Sequence, residues 1–126
     1  MITHESDSHP SVKETVVSAD DVCTVSVPKE FMMARDLRNR FTEEYLEMRA
    51  AGASRKELSD FVNEHSQYHA QVLGDYEGSE IYSGQVAGLI RSVVSAAEVT
   101  QDIVNGIPPA LEMLQQKLSA FMLRDV

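Results

Sequence analysis

Only one short stretch of the sequence has the pattern of a β-strand, and this scarcity limits what the chain can fold into. The stretch is VCTVSV at 22–27, which is rich in β-branched residues and is followed by Pro28. From about Phe31 onward, apolar residues recur at helical spacing instead. The first such face consists of Leu37, Phe41, Tyr45 and Met48. We therefore predict a mainly α protein with one short strand and five or six helices.

Capping signals predict where the helices begin. Pro10 can occupy the first position of a short helix, because a proline there loses no helical hydrogen bond. The sequences SRKE at 54–57 and SAAE at 95–98 are capping boxes, in which a serine and a glutamate satisfy each other's backbone amides. Two prolines at 108–109 are expected to open the last helix.

Glycines predict where the helices end. Gly52 and Gly106 are natural C-terminal stops. The helix that starts at the first capping box is predicted to run to about Leu73, and residues 74–80 form a turn. A further helix is predicted from about Ile81 to Arg91.

The charge of the chain argues against several classes of partner. The 126 residues include 11 Lys and Arg against 20 Asp and Glu, which gives a net charge of −9. A nucleic-acid-binding protein needs a basic face to neutralise phosphates, and an anionic membrane surface would repel this chain. We therefore expect neither nucleic acid nor membrane as a partner.

The sequence predicts where in the cell the protein is found, because it lacks a second cysteine, a membrane-spanning run and a signal peptide. Cys23 is the only cysteine, so an internal disulfide is impossible, and it is predicted to be a small core residue. No apolar run approaches the roughly 20 residues that span a bilayer. The first ten residues lack the apolar centre of a signal peptide. These features favour a cytoplasmic protein.

Two groups of residues could carry chemistry by themselves, and each has a simpler interpretation. His65 and His69 are four apart on a predicted helix and can face one metal ion, but no third ligand follows at a recognisable spacing. We therefore predict no metal site. Three carboxylates alternate with arginines at helical spacing, which is typical of a solvated, salt-bridged face. They are Glu43, Glu44 and Glu47.

The segment IYSGQVAGLI at 81–90 combines high hydrophobicity with two glycines, Gly84 and Gly88. Each glycine costs about 1 kcal/mol relative to alanine in a helix interior, so something must offset the cost. Small residues let a backbone approach another backbone, or a flat ligand, closely. Two interpretations remain open: tight packing, or space at Gly84 and Gln85 beside a cofactor or substrate, where the Gln85 amide could both donate and accept.

Three stretches of the sequence occur in an order and spacing that are typical of one protein family. They are THESDSHPSVKETVV (3–17), LRNRFTEEYLEMRAAGAS (37–54) and GDYEGSEIYSGQVAGLI (74–90). The shared positions are Thr3, Glu5, Ser6, His9, Pro10 and Lys13, then Arg38 and Asn39, then Ser83 to Leu89. In these stretches the chain resembles the nitronate monooxygenases, also called 2-nitropropane dioxygenases. It is equally similar to the flavin-dependent enoyl-acyl-carrier-protein reductases of the same superfamily, and the resemblance weakens after about Gly106.

The resemblance implies an FMN-binding (β/α)₈ barrel with a smaller, mostly helical segment that caps the active site. A complete barrel needs about 250 residues, so this chain corresponds to the C-terminal end of the family, with the barrel mostly missing. It is expected to be a single partial domain over 1–126. Within it, residues 1–30 represent the end of the barrel and the following segment, and residues 31–126 represent the helical cap.

The resemblance also implies which functional residues this chain contains and which it lacks. It places the phosphate-binding turns and the catalytic histidine in the missing part, so no catalytic residue is expected in this chain. His4 and His9 match the segment after the barrel and do not substitute for that histidine. The residues expected to face the flavin or the substrate are Ser83, Gly84 and Gln85.

One departure from the family affects the substrate. The family often has Met-Ala where this chain has Tyr82 and Ser83, so a nitronate, an enoyl thioester and other substrates all remain open. Gly88 is expected to let its segment pack against its neighbours.

The sequence therefore favours a C-terminal fragment of an FMN-dependent nitronate monooxygenase-like oxidoreductase that is inactive alone. FMN is expected to bind the complete protein and not this chain by itself. The expected partner is the missing barrel portion, or a second copy through an exposed helix face, and the complete enzyme would act on a small-molecule substrate. The alternative is a small acidic helical interaction module without catalysis.

Overall fold

The computed structural model describes residues 2–122, which contain five α-helices, two β-strands and one 3₁₀ helix. In chain order the elements are α1 (Pro10–Val17), β1 (Thr24–Pro28), β2 (Met33–Leu37), α2 (Arg40–Ala50), α3 (Arg55–Glu64), α4 (Gln67–Gln71), the 3₁₀ helix (Gln85–Leu89) and α5 (Ala96–Met122). The prediction of a mostly helical chain is confirmed. The prediction of a single strand is wrong, because a second strand pairs with the first.

The described residues divide into two compact units. The hairpin unit consists of Ile2 and residues 6–93, and the terminal unit consists of residues 3–5 and 94–122. The division at residue 30, between the end of a barrel and a helical cap, stays a prediction.

The two strands form an antiparallel hairpin in which Thr24 lies opposite Leu37. The helical period expected from about Phe31 is wrong here, because the buried residues Ala34 and Asp36 alternate with the partly exposed Arg35, as in a strand. Leu37 has helical spacing to α2 only because it ends β2 just before that helix begins.

Helix α2 packs the hairpin against α3. Asn39 and Thr42 form a capping box at its start, and the helix ends before Gly52, whose φ of 84° fits the predicted stop. Phe41 and Tyr45 are buried, and the Phe41 ring stacks on Phe61 with ring centroids 5.3 Å apart. One core cluster unites the hairpin with both helices, and its buried members are Val27, Phe41, Tyr45 and Leu58.

Helix α3 begins at the predicted capping box of Ser54 and Glu57 but stops at Glu64. The prediction that it runs to about Leu73 is wrong. The carbonyl of His65, which would accept a helical bond from the amide of His69, instead accepts a hydrogen bond from the amide of Glu80 at 2.8 Å. The chain therefore leaves the helix, and the short helix α4 starts afresh after this break.

The segment from Ile81 to Arg91 is not the predicted helix. Its first residues extend along β2: the Leu37 amide donates to the Ile81 carbonyl at 2.8 Å, and the Ser83 amide donates to the Arg35 carbonyl at 3.0 Å. Only the 3₁₀ helix Gln85–Leu89 follows. Pairing with β2 gives hydrogen-bond partners to backbone N–H and C=O groups that would otherwise bond to each other within a helix.

The two glycines of this segment have different surroundings. A Cβ atom at Gly88 would overlap the carbonyl oxygen of Asp20, so the absence of a side chain permits close backbone contact. This agrees with the expectation that Gly88 allows tight packing. A Cβ at Gly84 would meet only the Val86 side chain, at 3.9 Å.

Helix α5 is continuous from Ala96 to Met122, so the predictions that Gly106 ends one helix and that two prolines open another are wrong. Pro108 and Pro109 lie inside the helix. A proline ring fixes φ near the helical value, but each interior proline removes an N–H donor and its ring crowds the carbonyl four residues earlier. Because no residue of Ala96–Met122 is buried, the carbonyls left without donors can bond to water.

The terminal unit attaches the start of α5 to the beginning of the chain. Ser95 and Glu98 form the predicted capping box, and the Ala96 amide donates to the Glu5 carboxylate at 2.9 Å. Thr3 and Val94 form a parallel bridge. Within residues 2–122, every helix is too short or too polar to cross a bilayer.

We predict that Gly88→Ala lowers the free energy of unfolding by about 1 to 3 kcal/mol, because the new methyl group forces the Asp20 backbone away. Gly84→Ala is the matched control, since it lies in the same segment beside open space. It should change the free energy of unfolding by less than about 0.5 kcal/mol. Urea unfolding of the two variants measures the difference, and equal losses would contradict the assigned packing.

Candidate functional site

A cluster of three charged side chains lies inside the hairpin unit. Lys29 comes from the turn between β1 and β2, Asp36 from β2 and Glu80 from the segment before Ile81. The Lys29 Nζ atom lies 2.6 Å from Glu80 Oε1 and 3.8 Å from Asp36 Oδ2. When all three groups are ionised, this buried cluster has two negative charges and one positive charge, and so a net charge of −1.

Aromatic rings contribute to the position of Lys29. Its Nζ lies 5.1 Å from the ring centroid of Phe41 and 4.5 Å from that of Tyr45, both on α2. The electron-rich face of an aromatic ring attracts a cation, most strongly where water is excluded. The ammonium is thus held by two rings as well as by Glu80.

Asp36 is the member of the cluster whose charge is least favourably placed. Its side chain is fully buried, and neither of its oxygens has a hydrogen-bond partner among the described residues. Burial raises the pKa of Asp36 to about 6; the Lys29 charge opposes this effect and the nearby Glu80 charge adds to it. Near neutral pH this carboxylate therefore responds to small changes in its surroundings.

We predict that Asp36→Asn raises the free energy of unfolding at pH 7 by on the order of 2 to 3 kcal/mol. The pKa of Asp36 is about 6 in the folded protein and close to 3.8 when unfolded. The folded state thus binds the Asp36 proton more tightly than the unfolded state does. The free energy of unfolding of the wild-type protein therefore rises as the pH falls through 6. The gain of the variant should therefore vanish below about pH 4.

The measurement is urea unfolding of both proteins between pH 4 and pH 8, compared as a difference at each pH. Asp102→Asn removes an exposed carboxylate from α5 and serves as the control, with an expected difference near zero throughout. A pH-independent difference for Asp36→Asn would show that its carboxylate does not titrate as proposed.

Tyr82 connects the charged cluster to the surface. It forms an isolated antiparallel bridge with Asp36 and is about half exposed. Burial, followed by the charge of Glu80, raises the pKa of Tyr82 to about 12, so its hydroxyl stays protonated at neutral pH and can donate a hydrogen bond.

A cleft of about 400 Å³ opens on one side of Tyr82. Its apolar lining comes from the β1–β2 turn, α2 and α3, and its charged lining is mainly basic. The apolar residues are Phe31, Met32, Tyr45, Leu58, Val62 and Tyr82, and the charged ones are Lys29, Glu30, Arg49 and Arg55. Arg55 pairs with Glu30 at 3.0 Å. Such a cleft suits an apolar group that carries a negative charge.

A second groove of about 390 Å³ shares Met32 and Tyr82 with this cleft. Of the three residues expected to face flavin or substrate, Ser83 and Gly84 line the groove, and Gln85 follows at the exposed start of the 3₁₀ helix. The structure thus brings these residues to one open surface. Their contact with a ligand stays a prediction.

The groove can accept one face of a flat ring system. Its volume lies within the roughly 300–1,000 Å³ range of ligand sites, and the missing side chain at Gly84 leaves the floor open. Among the described residues, the Gln85 amide has no hydrogen-bond partner, so it is available to a ligand.

The remaining sequence candidates have structural roles. The His65 ring packs on Phe61 with centroids 4.4 Å apart, and the His69 Nδ1 atom lies 3.4 Å from the Ser66 hydroxyl. His9 caps α1, and the half-buried Cys23 packs against a core cluster. Within residues 2–122, no three His, Cys, Asp or Glu side chains come together as metal ligands.

The other candidate carboxylates lie on α2. Glu43, Glu44 and Glu47 are exposed, and Glu44 pairs with Arg40 four residues earlier. This agrees with the salt-bridged face predicted for them.

Sequence reasoning missed the cluster of Lys29, Asp36 and Glu80. The residues are separated by turns that no local pattern connects. One signal was present: in the sequence MARDL, strand alternation places Asp36 on the same face as Ala34. A charged residue on the buried face of a strand indicates a paired site.

Comparison with known proteins identifies related structures. No protein-family model and no curated protein sequence matches the chain. FabK from Thermotoga maritima is 30% identical over a match that covers 90% of this chain and 36% of FabK, with a TM-score of 0.80. A methionine-to-alanine variant of that FabK matches with 28% identity, covering 90% of this chain and 33% of the variant, with a TM-score of 0.72.

FabK is a flavin-dependent enoyl-acyl-carrier-protein reductase of the nitronate monooxygenase family. The resemblance drawn from the three sequence stretches is thereby confirmed. The chain spans about a third of the length of FabK and matches it as a mostly helical part with a two-stranded sheet. Its similarity is therefore to one part of a family of flavin-dependent oxidoreductases.

Proposed function

We propose that this chain is the helical cap of an FMN-dependent oxidoreductase and works only together with a (β/α)₈ barrel portion. The observation that carries the proposal is the similarity to FabK, with 30% identity over 90% of this chain and a TM-score of 0.80. The barrel portion would supply the FMN phosphate site and the catalytic histidine. The substrate would be a nitronate or an enoyl thioester.

In this proposal the groove beside Tyr82 covers one face of the bound flavin. The flavin supplies the redox chemistry, exchanging electrons with the substrate, while the cap positions the reactants and excludes water. Gly84 lets the ring approach the backbone, and the Gln85 amide donates to or accepts from the ring edge. The Tyr82 hydroxyl stays protonated at neutral pH with Glu80 as a hydrogen-bond acceptor, and the Tyr82 side chain lines the adjoining cleft, where it would contact substrate.

Exposed apolar side chains of the hairpin unit support a docked barrel. Phe31 is 87% exposed and Leu89 is 76% exposed, values that are unusual for such large residues. Met32 and Met33, which line the groove, are also more than half exposed. A barrel portion that covers this surface would remove it from water.

A hybrid enzyme tests the proposal. The matched third of Thermotoga maritima FabK is replaced by this chain, and the purified hybrid is tested for bound FMN by its absorbance. We expect about one FMN per hybrid and flavin turnover with an enoyl thioester or a nitronate. The chain alone should bind no FMN, because the phosphate site lies elsewhere.

The control is FabK from which the matched third has been deleted without replacement. A hybrid that melts cooperatively but holds no FMN would contradict the proposal. A hybrid that binds FMN and turns over neither substrate class would contradict the assigned role in positioning substrate.

The groove residues are tested within the same hybrid. We predict that Gln85→Ala lowers flavin turnover by about tenfold or more, because one positioned hydrogen bond contributes that much when water is excluded. Gln101→Ala on α5 removes the same amide from the terminal unit and should leave turnover within about twofold. Equal effects of the two substitutions would remove Gln85 from the site.

A second candidate function is an acidic interaction module without catalysis. The observation that favours it is helix α5, which has no buried residue and on which apolar residues alternate with polar ones. If the hybrid folds without flavin while the chain alone is well folded, this second function becomes the better account.

A further inference from the structure

The cleft beside Tyr82 is a concavity that the hairpin unit forms from its own residues. Its walls are the β1–β2 turn, α2 and α3, and its volume is about 400 Å³. Two of its apolar residues, Tyr45 and Leu58, belong to a core cluster and are only 3% and 9% exposed. The cleft therefore reaches from the surface to the packed core, so part of its wall is held in place by the fold.

Helix α3 runs along the cleft. The residues of α3 that line it have the spacing of one helix face, and they are Arg55, Leu58, Ser59, Val62 and Asn63. From the first of these residues to the last, the helix rises roughly 12 Å at about 1.5 Å per residue. The apolar members, Leu58 and Val62, lie between the two polar ends. The cleft is thus elongated and apolar along its middle, which suits an extended alkyl chain.

The charged lining of the cleft is mainly basic although the chain is acidic. Lys29, Arg49 and Arg55 line it against Glu30, in a chain whose net charge is −9. Lys29 and Arg55 already have carboxylate partners, which are Glu80 and Glu30. Arg49 is exposed and has no carboxylate partner among residues 2–122. The positive charge that remains open to a ligand is therefore that of Arg49.

The two arginines belong to one end of the cleft. Arg49 lies in the last turn of α2 and Arg55 is the first residue of α3, so both are close to the turn that joins these helices. An arginine binds a carboxylate or a phosphate through parallel hydrogen bonds as well as by charge. An anionic group bound at this end would leave an attached chain to extend along Leu58 and Val62.

We propose that the cleft binds a medium-length alkyl chain with an anionic head group, which is a carboxylate or a phosphate monoester. The head group binds Arg49, and the chain lies against α3 and Tyr45. Charge complementarity selects this class of ligand, because a cationic head group would meet two arginines at the same place. Binding in the cleft does not depend on the proposed flavin function; only the identification of this ligand with the substrate would rest on it.

Three compounds with the same chain and different head groups test the proposal on the complete chain. They are decanoate, decyl phosphate and decyltrimethylammonium, titrated calorimetrically below the concentrations at which they form micelles. We expect one or both anions to bind with a dissociation constant on the order of 100 μM, and the cation to bind at least about tenfold more weakly. Since the net charge of −9 attracts the cation, a preference for the anion must come from the cleft. The anion that binds more tightly identifies the head group.

Substitutions in the cleft test which residues bind the ligand. Arg49→Gln should weaken binding of the preferred anion by about tenfold, because it removes a charge-assisted hydrogen bond. Arg38→Gln is the matched control: it removes the same charge from an exposed position outside the cleft, and should change binding by less than about twofold. Ser59→Phe fills the cleft from an exposed position of α3 and should abolish binding, whereas Ser59→Ala should not.

Amide chemical shifts measured by NMR locate the bound anion. Addition of the preferred anion should shift the amides of residues 29–32 and 55–63 and leave those of α5 unchanged. The same spectra establish that each variant remains folded.

Four results would overturn the proposal. The first is the absence of binding by either anion up to about 5 mM. The second is equal or tighter binding of the cation. The third is an equal effect of Arg49→Gln and Arg38→Gln, or shifts that fall on residues 83–85 or on α5. The fourth is a FabK hybrid that holds FMN but no longer binds the anion, since the barrel portion would then fill the cleft; a hybrid without FMN that still binds the anion would contradict the flavin function alone.

Discussion

The ion pair between Lys29 and Glu80 joins two segments of the hairpin unit that are far apart in sequence. It connects the turn of the β-hairpin to a segment some fifty positions away in sequence, with Nζ and Oε1 2.6 Å apart. A buried pair of this kind adds little net stability, because desolvation of both charges offsets their attraction. The pair favours the observed register of the Glu80 segment on β2, because a shifted segment would separate Glu80 from the buried Lys29.

The same arrangement places an unbalanced buried charge close to the cleft and the groove. Asp36 could have been an apolar residue, yet it stands beside Glu80 and carries an unbalanced charge without a hydrogen bond. The backbone bridge between Asp36 and Tyr82 places the charged cluster beside a tyrosine that lines both the cleft and the groove. Groups with perturbed pKa values next to a cavity are typical of functional sites, and a purely structural hairpin would gain from their replacement.

The sequence predicted those parts of the fold that depend on neighbouring residues. The capping boxes at Ser54 and Ser95 and the start of α1 at Pro10 need only residues within one turn, and all three are present. The errors arose where distant groups competed with a local pattern. The Glu80 amide takes the carbonyl of His65 and ends α3, and β2 draws Ile81 and Ser83 into an extended conformation.

The position of the candidate surface was also predictable only where it depends on neighbouring residues. Ser83 and Gly84 were identified from a local sequence resemblance and do lie together in a groove. The charged cluster behind them depends on contacts between three separate segments and was not identified. Helix α5 is an error of the opposite kind, in which local signals predicted a break that the structure does not have. Gly106 and the two prolines predicted two helices, but the helix is continuous, and water can bond to the two carbonyls that lose their donors.

The two glycines of the segment 81–90 illustrate how one pattern can serve two purposes. Gly88 has no room for a methyl group against Asp20 and is explained by packing alone. Gly84 has room, lines the groove and gains nothing from the chain itself by lacking a side chain. Since a glycine without a packing reason costs conformational entropy, its reason should be sought in what approaches it from outside.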